Sequence, residues 1–150
     1  MDIDIDQVTG DKKAYLELLL LGDEQEDMID RYLDRGIMYI LTDRNQVLGQ
    51  CVVTDEGNGV LEIKNIAIRE TAQGKGLGRM LVEDMARRFQ GKYTMLQVGT
   101  GDSPSTLPFY EKCGFVRHHI IPNFFTDHYD HPIVEQGKQL RDMIVLRRAL

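Results

Sequence analysis

Three glycines at alternate positions, Gly74, Gly76 and Gly78, stand where a β-type apolar run ending at Ile68 gives way to a helical period that begins near Lys75. Glycines at such a threshold let backbone amides approach a ligand closely, and a helix N-terminus presents unpaired N–H groups and partial positive charge. The chemistry this suits is the holding of a pyrophosphate. Two familiar phosphate loops are excluded by spacing. A Walker loop needs GxxxxGK followed by Ser or Thr, and AIRETAQGKGLGRML has no such run. A dinucleotide fingerprint needs GxGxxG with an acid about 20 residues on. Here the glycines run GxGxG, and Leu96-Gln97-Val98 supply no acid. A plain helix cap without a ligand is the alternative.

Other reactive side chains are less suggestive. His118 and His119 are adjacent on an expected strand and should point to opposite faces, so neither they nor His128 and His131 argue for a metal, and none is expected. Cys51 and Cys113 fall in an apolar strand and near a helix end, with no disulfide or zinc spacing, and buried structural thiols are expected.

Gln73-Gly74-Lys75-Gly76-Leu77-Gly78 resembles, without a gap, the coenzyme A loop Q/R-x-x-G-x-G/A of the GNAT N-acetyltransferase superfamily. FYEKCGF at 109–115 resembles that superfamily's second signature, an aromatic pair and a Gly-Phe closing the helix beside the coenzyme's thiol arm. These motifs cover about residues 47–116, and the order of elements extends the likeness to the whole chain. The stretch beyond residue 120 looks like that of a bacterial subgroup of GNAT proteins.

The resemblance implies an α/β GNAT fold, a mixed and largely antiparallel sheet flanked by helices, with acetyl-CoA as co-substrate in a cleft between the fourth and fifth strands. It implies that the backbone of Ile66, Ala67 and Ile68 pairs with the pantetheine. The amides of Gln73, Gly74, Lys75, Gly76, Leu77, Gly78 and Arg79 are then expected to hold the pyrophosphate. Seven residues before Tyr110 the family often has an asparagine facing the pantetheine; this chain has Ser103 there, a departure at a cofactor-binding position. Glu62, five residues before Ala67, matches the catalytic glutamate of the histone-acetylating branch. Tyr110 matches the tyrosine that protonates the departing thiolate. A base is wanted because an alkyl ammonium is neutral only to about one part in a thousand at pH 7.4. The implied reaction is direct transfer from thioester to amine, with no covalent enzyme intermediate.

The elements that must position these residues are legible in periodicity. Residues 2–8 alternate as a strand, and 12–21 and 24–35 read as two helices, the second burying Met28, Ile29, Tyr32 and Leu33 and ending at Gly36. IMYIL, VLGQCVVT and VLEIKNIAI, parted by polar turns, read as an antiparallel meander. Leu77, Leu81, Met85 and Phe89 mark a long amphipathic helix with Arg79, Glu83, Asp84, Arg87 and Arg88 outward. YTMLQVG is a strand, and Ser103-Pro104 should open a helix that runs to Cys113 with a kink at Pro108. FVRHHII and DMIVLRR are the last strands, with 123–140 irregular apart from a short helical turn.

Size and charge narrow the partners. A chain of 150 residues has room for one domain, 1–150, and no run approaches the length of a membrane span. The acidic start MDIDIDQVTG lacks the basic and then apolar pattern of a secretory signal, so a cytoplasmic location is expected. A net charge of −6 disfavours nucleic acid. The acceptor site should be built from Leu21 to Arg35 and from 120–137. Asp23, Glu24, Glu26, Asp27, Asp127 and Asp130 make those segments acidic on paper, which favours a small cationic amine. A non-catalytic acyl-CoA sensor and a protein or peptide N-acetyltransferase are the alternatives, and a homodimer is left open.

Overall fold

The computed structural model describes residues 1–150 throughout. In chain order the elements are β1 (Ile3–Gln7), α1 (Leu16–Gly22), α2 (Glu26–Asp30), β2 (Ile37–Asp43), β3 (Gln46–Asp55), β4 (Val60–Ile68), α3 (Leu77–Phe89) and β5 (Met95–Gly101). There follow α4 (Thr106–Lys112), β6 (Val116–Ile121), α5 (Phe124–His128), β7 (Val134–Glu135), β8 (Lys138–Gln139) and β9 (Met143–Ala149). Seven strands form one sheet in the order β1-β2-β3-β4-β5-β9-β6. Only β4 and β5 run parallel, with α3 as the crossover between them; every other neighbouring pair is antiparallel, with short turns joining β2 to β3 and β3 to β4.

The sheet is covered on both faces. Leu77, Leu81, Met85 and Phe89 of α3 and Leu107 and Tyr110 of α4 lie in a cluster of 22 buried residues with Cys51, Val53, Leu61 and Leu96. On the other face Leu19, Ile29, Tyr32 and Leu33 pack on Met38 and Val52. Val52 and Val53 serve opposite clusters, as period-two alternation on β3 requires.

Several expectations are corrected. The second helix closes at Asp30 instead of Arg35, because Arg31 and Tyr32 already bond three residues back and the chain leaves as turns. Lys12 Nζ satisfies the freed carbonyls of Leu33 and Gly36 at 2.8 and 2.7 Å. Asp84 is buried, held by Arg87 and Arg88 at 2.6 and 3.0 Å, and not outward. α4 begins at Thr106, so Pro108 falls in its first turn, where the amide has no helical acceptor to lose, and not in mid-helix. Residues 123–140 hold α5 and a β7–β8 hairpin turned by Gln136 and Gly137, both at positive φ. His118 and His119 do not oppose each other: the register of β6 on β9 slips between Arg117 and His119, and the two Nδ1 atoms meet at 2.7 Å.

Two irregularities of β4 open the sheet. Val52 pairs with Asn65 while Val53 pairs with Ile63, so Lys64 is an extra residue that bulges the strand. Pairing with β5 then ends at Ile63 and Val98, and the rest of β4 keeps only its β3 partner. The strands part there, leaving the β5-facing edge of Asn65–Ile68 without a ladder.

Candidate active site

A cleft of about 770 Å³ opens beside the parted strands. One wall is β4 at Ile66, Ala67 and Ile68; the floor is the loop Gln73, Gly74, Gly76 and the start of α3; the opposite wall is α4. Gly74 and Gly76 have φ of 79° and 81°, a left-handed backbone that L side chains adopt only under strain. A Cβ at either would meet nothing within 4 Å, so the space above the loop belongs to the cleft. Gly78 serves differently: a Cβ there would stand 3.2 Å from Cζ of Phe109, so its absence lets α3 and α4 close on each other.

The loop leads into α3 with Gly76 as N-cap and no side-chain cap, so the first-turn amides of α3 have no side-chain acceptor. Arg79 and Lys112 line the same cleft and make no ion pair in the protein, which leaves two cations free beside the amides. Together these groups suit a phosphorylated ligand.

One side chain expected to face the cleft is turned away from it. Ser103 is buried, 1% exposed, and its Oγ accepts the Ser105 amide at 3.3 Å; it caps the first turn before α4 instead of facing the cleft. Ser105 and Thr106 line the cleft in its stead. Within the loop, the Lys75 side chain is exposed and is not part of the cleft wall, while Leu77 is buried and lines it; the expectation at both concerned only their amides.

Tyr110 stands where cavities meet. It lines the large cleft and also a smaller space of about 190 Å³ in the gap between β4 and β5, which shares Leu21, Ile66 and Thr106 with the cleft. Its ring is held edge-on by Phe109 and Phe115, at centroid distances of 5.1 and 5.7 Å. Burial pushes the phenol above its ordinary value, so the hydroxyl stays protonated. No group of the protein hydrogen-bonds it. Cys113 also lines the cleft, and burial raises its thiol, which leaves little thiolate for nucleophilic work.

Beyond the gap lies a third cavity of about 370 Å³, joined to the second through Ile63, Lys64, Gly99 and Met143. Glu62 opens into this cavity and not into the one holding Tyr110. Its side chain is 15% exposed, and both oxygens are engaged: Oε1 accepts Gln97 Nε2 and Oε2 meets Lys64 Nζ, each at 2.5 Å. Gln97 is itself fixed by Arg147 Nε at 2.7 Å.

Asp23 is the residue of this cavity whose position sequence reading did not isolate. Its carboxylate accepts Tyr129 Oη at 2.7 Å and Tyr32 Oη at 3.0 Å, and Tyr32 Oη accepts Asn65 Nδ2 at 3.1 Å. Burial raises the Asp23 carboxyl, with the two hydroxyls pulling the other way. Tyr129 lies 106 residues away in the chain, and that distance hid the pairing.

The other acids expected around the acceptor are largely spent on neighbours. Glu26 pairs with Lys13 at 2.6 Å, and Glu24 and Asp130 share His131 at 3.0 and 2.6 Å. The cavity itself carries Arg31, Arg35 and Lys64 against Asp23, Glu56 and Glu62, so its charges balance.

A family model for the acetyltransferase (GNAT) domain matches residues 34–117. A Bacillus subtilis (strain 168) protein named uncharacterized N-acetyltransferase YvbK is 38% identical over 147 residues, covering 96% of this chain and 93% of its own. The crystal structure of a GNAT family acetyltransferase from Elizabethkingia anophelis, with acetyl-CoA bound, superposes with a TM-score of 0.94 at 37% identity over 99% of both chains. A Bacillus subtilis acetyltransferase in complex with CoA does so with a TM-score of 0.91 at 35% identity, again over 99% of each.

Proposed function

The chain belongs to the GNAT family of acetyltransferases, and we propose that, acting as one domain over residues 1–150, it transfers the acetyl group of acetyl-CoA directly to the primary amine of a small molecule. The observation that carries this reading is the parting of β4 and β5 beyond Ile63 and Val98, with a phosphate-suited cleft on one side and a charged cavity on the other, meeting near Tyr110. The pyrophosphate lies over the amides from Gln73 to Arg79. The pantetheine runs along the unpaired edge of Ile66–Ile68, which brings the thioester to the gap.

The incoming ammonium first loses a proton to Glu62, directly or through a water. The free amine attacks the carbonyl carbon, forming the C–N bond, while backbone amides polarise the carbonyl oxygen. The C–S bond then breaks. Tyr110 gives its proton to the departing thiolate, and the proton shed by the nitrogen replaces it, so the products are an amide and free coenzyme A thiol. A raised, protonated phenol supports that donor role. Asp23 is the competing base, favoured by its raised carboxyl in the same cavity.

The test is release of free thiol from acetyl-CoA against a panel of primary amines and peptides. Turnover with small amines supports the reading; none with any acceptor, despite coenzyme binding, makes the protein an acyl-CoA sensor. Turnover with peptides alone moves the acceptor to proteins.

A further inference from the structure

Three carboxylates line the cavity beyond the gap, and two of them have a cation. Glu56 pairs with Arg35 at 2.9 Å and Glu62 with Lys64 at 2.5 Å. Asp23 has no cationic partner. Its half-buried carboxylate is turned inward, onto Tyr32 Oη at 3.0 Å and Tyr129 Oη at 2.7 Å, and the hydroxyl of the buried Tyr32 in turn accepts Asn65 Nδ2. Burial pushes both phenols up, so they stay neutral donors that fix the carboxylate without cancelling its charge. Two hydroxyls do not exhaust a carboxylate, which can accept about four hydrogen bonds. Asp23 and Tyr32 line the outer cavity, whereas their neighbours Gly22 and Asn65 line the gap space that holds Tyr110. Ile63, Gly99 and Met143 line both spaces and make an apolar path from one to the other.

We propose that Asp23 is the seat for a second, non-reacting ammonium of the acceptor, and that the acceptor is a short aliphatic diamine with its other nitrogen at the gap beside Tyr110. This rests on the acetyl-transfer reading and narrows it. A half-buried carboxylate held only by neutral donors has given up water without gaining a counter-charge. An ammonium supplies that partner through a charge-assisted hydrogen bond, and no existing ion pair has to break. It also opposes the burial that raises the Asp23 carboxyl. The methylene stem between the two nitrogens then lies along the apolar path of Ile63, Gly99 and Met143.

Matched pairs test this: 1,4-diaminobutane against butylamine, and 1,5-diaminopentane against pentylamine, each pair differing by one terminal ammonium. The wild type should favour the diamine in kcat/KM by roughly 10-fold or more, beyond the factor of about two that two equivalent amines give. Asp23→Asn keeps the shape but not the charge, and should cut that ratio toward about two, with the change carried by the diamine's KM. Asp23→Glu should retain part of the preference. A wild type without preference overturns the proposal. So does an equal loss on both members of each pair in Asp23→Asn, which would make Asp23 the base instead. Calorimetric titration of 1,4-diaminobutane into the coenzyme A-loaded protein separates the seat from the transfer reading. Binding that is lost in Asp23→Asn without any acetyl transfer upholds the seat and fails the transfer reading. No diamine binding by the wild type overturns the seat, and turnover of the monoamines alongside it leaves acetyl transfer standing.

Discussion

The cleft proposed for the coenzyme and the cavity proposed for the acceptor are built on opposite principles. The first offers backbone along two sides, a strand edge freed at Ile63 and a loop of two left-handed glycines leading into α3, all within residues 60–79, with α4 as the facing wall. The second is mostly side chains, drawn from α2, β3–β4, β5, β6, α5 and β9. A backbone site tolerates change in side chains and recognises what all members of a class share, which on the proposed reading is the phosphates and the amide arm of one coenzyme. A side-chain site can be rewritten one residue at a time, and so on the proposed reading it is where acceptor choice resides.

The two regions should therefore break in different ways. The largest effect is expected at Glu62. Glu62→Gln keeps the shape and the bond from Gln97 but cannot accept a proton, so turnover at pH 7 should fall about 10²–10⁴-fold with acetyl-CoA affinity retained. The loss should shrink as pH rises toward 10, where solvent supplies neutral amine. A rise in the amine's KM with turnover kept would make Glu62 a binding group, and a full-sized loss in Asp23→Asn instead would move the base to Asp23.

Next comes Gly76→Asp, which sets a carboxylate over the loop and strains a residue at φ 81°. Saturating acetyl-CoA at about 100 times its Kd adds roughly 2.7 kcal/mol, or about 5–10 °C in Tm, to the wild type. The variant should lose that shift, whereas NAD and ATP should produce little in either protein. An undiminished shift would reduce the loop to a helix cap.

Tyr110→Phe should lower kcat by about 10-fold with little change in acetyl-CoA affinity, because only the transition state has a thiolate to protonate. An equal loss in affinity would mean the ring packs against the coenzyme and does no more.

The smallest effect concerns the clasp that closes the acceptor side, where His131 bridges Glu24 and Asp130. Its hydrogen bonds to Asp130 and Glu24 raise His131 above the usual histidine value. A raised folded value means the clasp contributes fully below pH about 6.5 and fades as pH rises through the folded value. The urea midpoint of the wild type should thus exceed that of His131→Gln at pH 6, with the gap closing by pH 9. A gap independent of pH would contradict the ion pairing.

The loop and helices around the large cleft were readable in the chain because their determinants are local. The glycine spacing at 74–78, the apolar period of α3 and the FYEKCGF run each declare themselves within a dozen residues. The acceptor side was not readable to the same degree. Asp23 with Tyr129, and Arg31 with the wall of β6 and β9, are brought together by tertiary packing that leaves no spacing to detect. Charge counts misled there for the same reason: Glu24, Glu26 and Asp130 are acidic in sequence but are consumed by His131 and Lys13 in space. Ser103 fell between these cases. Its capping chemistry was legible, and the inward turn that removes it from the cleft was not.

Direct transfer requires coenzyme and acceptor to occupy adjoining cavities at once and to react across the gap beside Tyr110. Initial rates with acetyl-CoA and amine both varied decide whether they do. Double-reciprocal lines that intersect are expected, since both substrates must be bound before the acetyl group moves. Parallel lines, the mark of an acetyl-enzyme formed before the amine arrives, would contradict direct transfer and turn attention to Cys113.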